Sequence, residues 1–266
     1  EFSDHYFRDD FECTYEDAVV LEARQITYGT FTNVDLQLHK GEILGLCGLS
    51  DCGMHELGKV LFGIEKPVTG KVVLSQTGAE VRNPHFAVKS GMGYLSKDRD
   101  RESVILSASI QDNIELPSMS RLRRLFGYIP AKAEKQLAQD QIDVLKIKCR
   151  GPRQKLTELS GGNKQKVVFS KWLGCGSSIL ILDCATRGID VGVKAAIYRL
   201  LEEMKAEGKS IILISEELPE MIGMCDRMLV MKDGEVTAEF RRSKDLSESD
   251  IIKYMIGSVN SDVGTK

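Results

Sequence analysis

The sequence has no surplus of positive charge: 36 lysines and arginines stand against 39 acids, a net charge of −3. A protein that grips a nucleic-acid backbone needs a basic face, so no nucleic-acid partner is expected. Aromatics make up only 6%, with a single tryptophan, which leaves little for base stacking. No apolar run approaches the roughly 20 residues that cross a bilayer, and no charged-then-apolar secretory signal opens the chain. The seven cysteines, Cys13, Cys47, Cys52, Cys149, Cys175, Cys184 and Cys225, are odd in number, scattered, and form no C-x-x-C pair. Disulfide scaffolds and zinc ribbons need closer, paired spacing. Reduced thiols in a cytosolic compartment, and a soluble domain, are the expectation.

What is present suits a globular protein: 266 residues, 42% hydrophobic and 28% charged, enough for one large domain or two small ones. Residues 1–18 carry seven acids against one arginine and read as an acidic tail or linker. Residues 258–266 are small and polar and read as a flexible tail. Between them, residues 19–257 alternate strand and helix patterns. Val19–Ile26 and Phe31–Leu38 have strand character, and Glu42–Cys47 is a buried-strand run ending in glycine. Glu56–Phe62 reads as a short helix and Ala131–Lys148 as an amphipathic one. Ser178–Asp183 and Ser210–Ile214 are further buried strands. Between them Val193–Met204 forms a helix with Val193, Ala196, Ile197, Leu200, Leu201 and Met204 on one face. Met228–Met231 and Glu235–Phe240 flank an Asp233-Gly234 hairpin signal. Buried strands alternating with amphipathic helices predict an α/β fold with a parallel sheet. The strand-rich start and the helix-rich stretch at about 109–175 predict two lobes grafted on it.

Three segments carry chemistry. Gly48-Leu49-Ser50-Asp51-Cys52-Gly53-Met54-His55 follows a buried strand and precedes a helix, with glycines spaced as in G-x-x-x-x-G-K-[ST]. In that motif backbone N–H groups wrap phosphates, helped by the positive helix N-terminus. The same letters also suit a ligand-free strand-to-helix turn. Leu159-Ser160-Gly161-Gly162 opens a helical segment with bare backbone and a hydroxyl, a setting suited to an anion, and equally to a plain serine cap. Ile179–Leu182 ends in Asp183, and an acid at the carboxyl edge of a buried parallel strand can hold Mg2+ through water. Such a strand also ends in a turn residue by ordinary use. Their shared order and spacing, with Gly188-Ile189-Asp190 beyond, is less ordinary.

With these segments the chain resembles the ATP-binding cassette (ABC) family over roughly residues 19–257. It is most similar to the second cassette of tandem-cassette bacterial sugar importers of the ribose/galactose/xylose type. The carriers are LSGGNKQK at 159–166, including Lys164 and Gln165; Thr186–Gly192; Ser215-Glu216-Glu217-Leu218-Pro219-Glu220; and Leu95-Ser96-Lys97-Asp98-Arg99, which looks like a variant of the family's coupling loop. The resemblance implies a P-loop NTPase (RecA-like) core with a parallel sheet, an N-terminal antiparallel β subdomain and an α-helical subdomain. It implies ATP and Mg2+ as cofactors, with Tyr28 stacking on adenine and Gly48, Ser50, Gly53, Met54 and His55 at the phosphates. It implies a second cassette as partner, within the same full-length chain, each ATP lying between one phosphate loop and the other signature, with Gly188 and Asp190 in the dimer loop. Permease subunits, facing residues around 95–115, and indirectly a solute-binding protein complete the assembly at the cytoplasmic face of the membrane.

The sequence departs from the family in one direction. Met54 replaces the lysine that bridges β- and γ-phosphates. His55 replaces the Mg2+-binding hydroxyl, a poor exchange for a hard oxygen ligand. Cys184 and Ala185 stand where Glu-Pro is usual, and a thiol does not position water as a carboxylate does. Glu216, at the switch position, puts negative charge where a γ-phosphate would lie. The expectation is an asymmetric pair: a weak or inactive site of its own, with Asp183 a weak Mg2+ ligand, and an intact signature offered to a partner's working site. The alternative is a non-hydrolytic nucleotide-binding or scaffolding module.

Overall fold

The computed structural model describes residues 7–122 and 128–257. The tail expected at 258–266 lies outside the described residues. The first strand, β1 (Val19–Tyr28), pairs antiparallel with β2 (Phe31–His39) and β4 (Thr69–Leu74), and β5 (Ala79–Glu80) closes the order β2-β1-β4-β5. In β2 the apolar residues Val34, Leu36 and Leu38 are buried while the residues between are exposed, the alternation of a sheet with one solvated face.

The second sheet holds β3 (Ile43–Gly48), β6 (Met92–Leu95), β7 (Ile179–Asp183), β8 (Ser210–Ile214), β9 (Arg227–Lys232) and β10 (Glu235–Arg241) in the order β10-β9-β3-β8-β7-β6. All neighbours are parallel except β9 and β10. Every residue of β3, β6, β7 and β8 is buried, as strands covered on both faces must be. The β9–β10 turn has positive φ at Asp233 (49°) and Gly234 (82°), the backbone that an Asp-Gly hairpin supplies.

Helices α1 (Met54–Phe62), α2 (Pro84–Lys89), α7 (Val191–Ala206), α8 (Leu218–Met224) and α9 (Glu248–Ile256) lie with this sheet. Helices α3 (Ile110–Glu115), α4 (Met119–Leu122), α5 (Ala131–Val144) and α6 (Gly161–Gly174) fill the stretch between β6 and β7. There Ile110, Ile114, Ile142, Ile147, Leu156, Leu159 and Val167 form a second apolar cluster, apart from the main core. Each such buried branched side chain contributes about 1.5–3 kcal/mol. On α7 the buried face is Ile197, Tyr198, Leu201 and Met204; Val193 and Leu200 pack on its margin.

Helix α5 stops four residues before the predicted end. Lys146 turns to φ 49°, its N–H bonds Asp143 O, and the Ile147 N–H bonds Ile142 O. That is a Schellman ending with lysine in the position glycine usually takes. Ile147 then packs in the cluster with Ile142, which is what reverses the chain.

The described part of the acidic segment is not a free linker. Arg8 is 5% exposed. Its guanidinium donates to Asp226 Oδ1 at 2.9 Å and to Met224 O at 3.2 Å. The Phe7 ring packs at a 38° tilt against Tyr198, centroids 5.3 Å apart. Arg242 clamps the segment from outside, donating to Asp10 O and Arg8 O. Acidic composition hid these anchors because one arginine and one phenylalanine hold the segment. Asp226, fully buried, also accepts from Ile43 N–H and Lys205 Nζ, each at 2.8 Å. Removing one partner of a buried pair leaves charges uncompensated. Asp226→Ala should therefore cost about 3–5 kcal/mol of unfolding free energy by urea denaturation.

Candidate functional site

The parallel ladder brings four loops to one sheet edge. Gly48 ends β3, Leu95 ends β6, Asp183 ends β7 and Ile214 ends β8, and β3, β8, β7 and β6 are adjacent in that order. Loops beyond the carboxyl ends of parallel strands are where α/β proteins place ligand sites. The glycine loop, Asp183, the 95–99 segment and the 215–220 segment thus meet at one end of the sheet, while Leu159–Gly162 opens α6 to one side.

The glycine loop has the predicted strand-turn-helix setting. Gly48 admits no side chain: a Cβ would lie 2.4 Å from Met231 O and 2.5 Å from Cys52 Sγ. Gly53 caps α1 at φ 95°, and a Cβ there would crowd Thr30 and Phe31. The hairpin turn braces the loop, since Gly234 N–H donates to Cys52 O. Ser50 and Asp51 are exposed. Met54 is fully buried and belongs to the main core. Tyr28 is half-buried at the end of β1; its hydroxyl donates to Glu65 Oε2 at 3.0 Å and its ring leans on Phe31.

His55 is 6% exposed. Its Nδ1 lies 2.7 Å from Asp183 Oδ1. A carboxylate only accepts, so Nδ1 carries the proton. The other Asp183 oxygen accepts from the Tyr94 hydroxyl at 3.4 Å. His55 Nε2 is buried and makes no hydrogen bond, with Glu216 Oε1 3.4 Å away. The Cys184 thiol sits beside them, 9% exposed; burial, then Asp183 and Glu216, push its pKa up to about 12, with Lys97 and Arg187 acting weakly the other way. These residues do not fit the Mg2+ of a nucleotide. The hydroxyl position holds an imidazole closed on Asp183, the lysine position holds a buried thioether, and a second carboxylate, Glu216, faces the same imidazole.

The signature is a capped helix start. Ser160 Oγ accepts from Asn163 N–H and Nδ2, and Ser160 and Gly161 are exposed. Gly162 is buried, and a Cβ there would meet Val193 of α7 at 2.8 Å. Its smallness thus serves helix packing, whereas a Cβ at exposed Gly161 would only touch the Arg99 guanidinium at 3.9 Å. Leu159 packs in the helical cluster. Arg99, in a π-helical turn (Arg99–Ser103) after β6, donates to Gly161 O at 3.0 Å and Gln165 Oε1 at 3.4 Å. Gln165 Nε2 donates to Ala185 O at 2.6 Å, and Lys164 pairs with Asp100 at 3.3 Å. Ser96 is buried against Ser103 and Glu102, Asp98 caps the turn, and Lys97 is exposed. Coupling loop, signature and the residues after Asp183 are therefore joined by direct bonds. Gly188 is exposed at φ 69°, and Asp190 caps α7 by accepting from Val193 N–H at 3.0 Å.

Sequence reasoning missed Tyr94, Arg99's bond to the signature 62 residues away, and Glu220. Glu220 is 1% exposed and accepts from the Thr186 hydroxyl at 2.7 Å, pinning the loop after β7 to α8. Burial raises its pKa, so the folded chain holds a proton that the unfolded chain releases at lower pH. Stability from this group is fully present below the ordinary glutamate pKa and is lost as pH rises through the raised folded value. Glu220→Gln keeps an acceptor for Thr186. Urea unfolding across pH should show the variant gaining on the parent as pH rises, and an unchanging difference would refute the assignment.

The chain matches the ABC transporter family over residues 31–187. It is 40% identical over 240 residues to the ribose import ATP-binding protein RbsA of Halalkalibacterium halodurans, covering 90% of this chain and 48% of that protein. It is 41% identical over 240 residues to ribose import ATP-binding protein RbsA 3 of Rhizobium etli, covering 90% and 47%. The chain thus spans about half the length of the curated relatives it matches. A solved ATP-binding cassette, a dimer in a post-hydrolysis state bound to ADP and phosphate, superposes with a TM-score of 0.73 at 20% identity, covering 84% of this chain and 99% of that one. Among the described residues no helix is long and apolar enough to cross a membrane. Fold, motif order and family match agree: this chain belongs to the ABC transporter family and has its P-loop NTPase cassette fold.

Proposed function

We propose that the chain is an energy-coupling cassette of a bacterial sugar importer, acting as the non-catalytic half of an asymmetric pair. The reading rests on one observation: the signature end is exposed and capped while the glycine loop's own site is filled by the chain's own side chains. Ser160 and the bare backbone at Gly161 are exposed, while Met54 is buried and His55 is closed on Asp183. The ribose importers it resembles are about twice its length, in keeping with a second cassette alongside it.

In this reading ATP and Mg2+ are held by the partner cassette. This chain's part is to present a serine hydroxyl and backbone N–H groups to the partner's nucleotide. Closing and reopening of the pair is passed to membrane permease subunits at the cytoplasmic face through Ser96–Arg99. Arg99 supplies a direct route, because it holds Gly161 O and Gln165 together. A solute-binding protein would deliver the sugar outside.

The expected result concerns the assembled transporter in membranes. Gly161→Asp adds bulk and a carboxylate at an exposed position beside the Arg99 guanidinium and should abolish ATP turnover and uptake. Gly162→Asp is a weaker test, since clash with Val193 alone would disturb α6. Met54→Leu conserves volume and should leave turnover at the parent level. The chain alone should hydrolyse ATP barely above background, and Met54→Lys should not restore it, because groups that act as a unit do not repair singly. Tolerance of Gly161→Asp together with loss in Met54→Leu would reverse the roles.

A further inference from the structure

The groups that displace a Mg2+ nucleotide from this loop are themselves a metal-ligand set of a different kind. His55, Asp183 and Cys184 bring one ligand atom each within 4.8 Å of one another, all three residues buried. They come from the first turn of α1 and the end of β7, so no local spacing in the sequence announces them. Glu216 Oε1 is 3.4 Å from His55 Nε2 and, with its side chain 35% exposed, stands at the mouth.

We propose that the site binds Zn2+ directly, without nucleotide, through His55 Nε2, the Cys184 thiolate and the Glu216 carboxylate, with Asp183 orienting His55. The proposal rests on reading loop 48–55 as a degenerate phosphate site, and not on sugar transport.

Four observations carry it. First, His55 Nε2 is buried, faces Glu216 Oε1 at 3.4 Å and makes no hydrogen bond, a state that costs free energy unless something fills it. Second, the proton on Nδ1, fixed by Asp183 at 2.7 Å, leaves the Nε2 lone pair free to ligate. This carboxylate–histidine pairing is the usual support behind a metal-bound imidazole. Third, two carboxylates flank the imidazole, Asp183 Oδ1 at 2.7 Å from Nδ1 and Glu216 Oε1 at 3.4 Å from Nε2, so a divalent cation has two carboxylates to neutralise. Fourth, nitrogen, sulfur and carboxylate donors together suit Zn2+ and not Mg2+, which demands oxygen ligands and keeps its waters. Binding replaces the thiol S–H bond by a sulfur–metal bond and releases that proton to solvent. No oxidant or reductant is needed.

The test uses the full chain, without ATP, titrated with Co2+ as an optical stand-in for Zn2+. One equivalent should give the charge-transfer absorption of thiolate-bound Co2+. Zn2+ should abolish that band, and excess Mg2+ should not. Cys184→Ser should remove it, Cys13→Ser should leave it, and Asp183→Asn should weaken binding roughly 10–100-fold. Zn2+ should also raise the thermal midpoint of the parent chain where Mg2+ does not, a readout that stands if a variant fails to fold. Absence of the band, its survival in Cys184→Ser, its displacement by Mg2+ alone, or equal thermal shifts with both ions would overturn the proposal. An internal His55–Glu216 ion pair is what those results would leave. Neither outcome bears on the signature variants in membranes, so the two readings fail separately.

Discussion

The ladder β3-β8-β7-β6 decides where chemistry can occur in this molecule. Parallel pairing aligns the carboxyl ends of strands that are far apart in sequence. His55 and Asp183 are 128 residues apart and meet at 2.7 Å only because β3 and β7 both flank β8. Once that edge is set, the identities of a few residues determine what it holds. Imidazole in place of a hydroxyl closes on the aspartate. A methionine in place of a lysine joins the core. The cassette fold is retained, and this end of the sheet is packed with protein side chains.

The signature side shows the opposite balance. Its polar atoms are tied to neighbours that leave the helix start open: Ser160 to Asn163, Gln165 to Ala185, Lys164 to Asp100. Gly161 and Gly162, adjacent in sequence, have separate causes. The first faces solvent and the second is small because Val193 occupies the space its side chain would need. A motif that reads as one unit in the sequence is therefore half exposed backbone and half packing.

Much of this was legible in the sequence where the signal is local. Apolar runs located β3, β7 and β8, the Asp-Gly pair located the hairpin, and the glycine loop and Asp183 lie, as their strand-end settings predict, at one end of the parallel sheet. What was not legible depends on register over long separations. Nothing near Tyr94 points to Asp183, 89 residues away. Nothing near Glu220 points to Thr186. The end of α5 was misplaced because lysine, not glycine, takes the left-handed turn. The acidic opening segment misled because average composition says nothing of two anchor residues.

That segment has a mechanical consequence. Asp226 grips Arg8 with one oxygen, while the other accepts from Ile43 N–H at the first residue of β3. The far end of β3 is the glycine loop. A pull on residue 7 therefore loads the same carboxylate that seats the strand carrying that loop. The segment acts as a tether fastened to the root of the site.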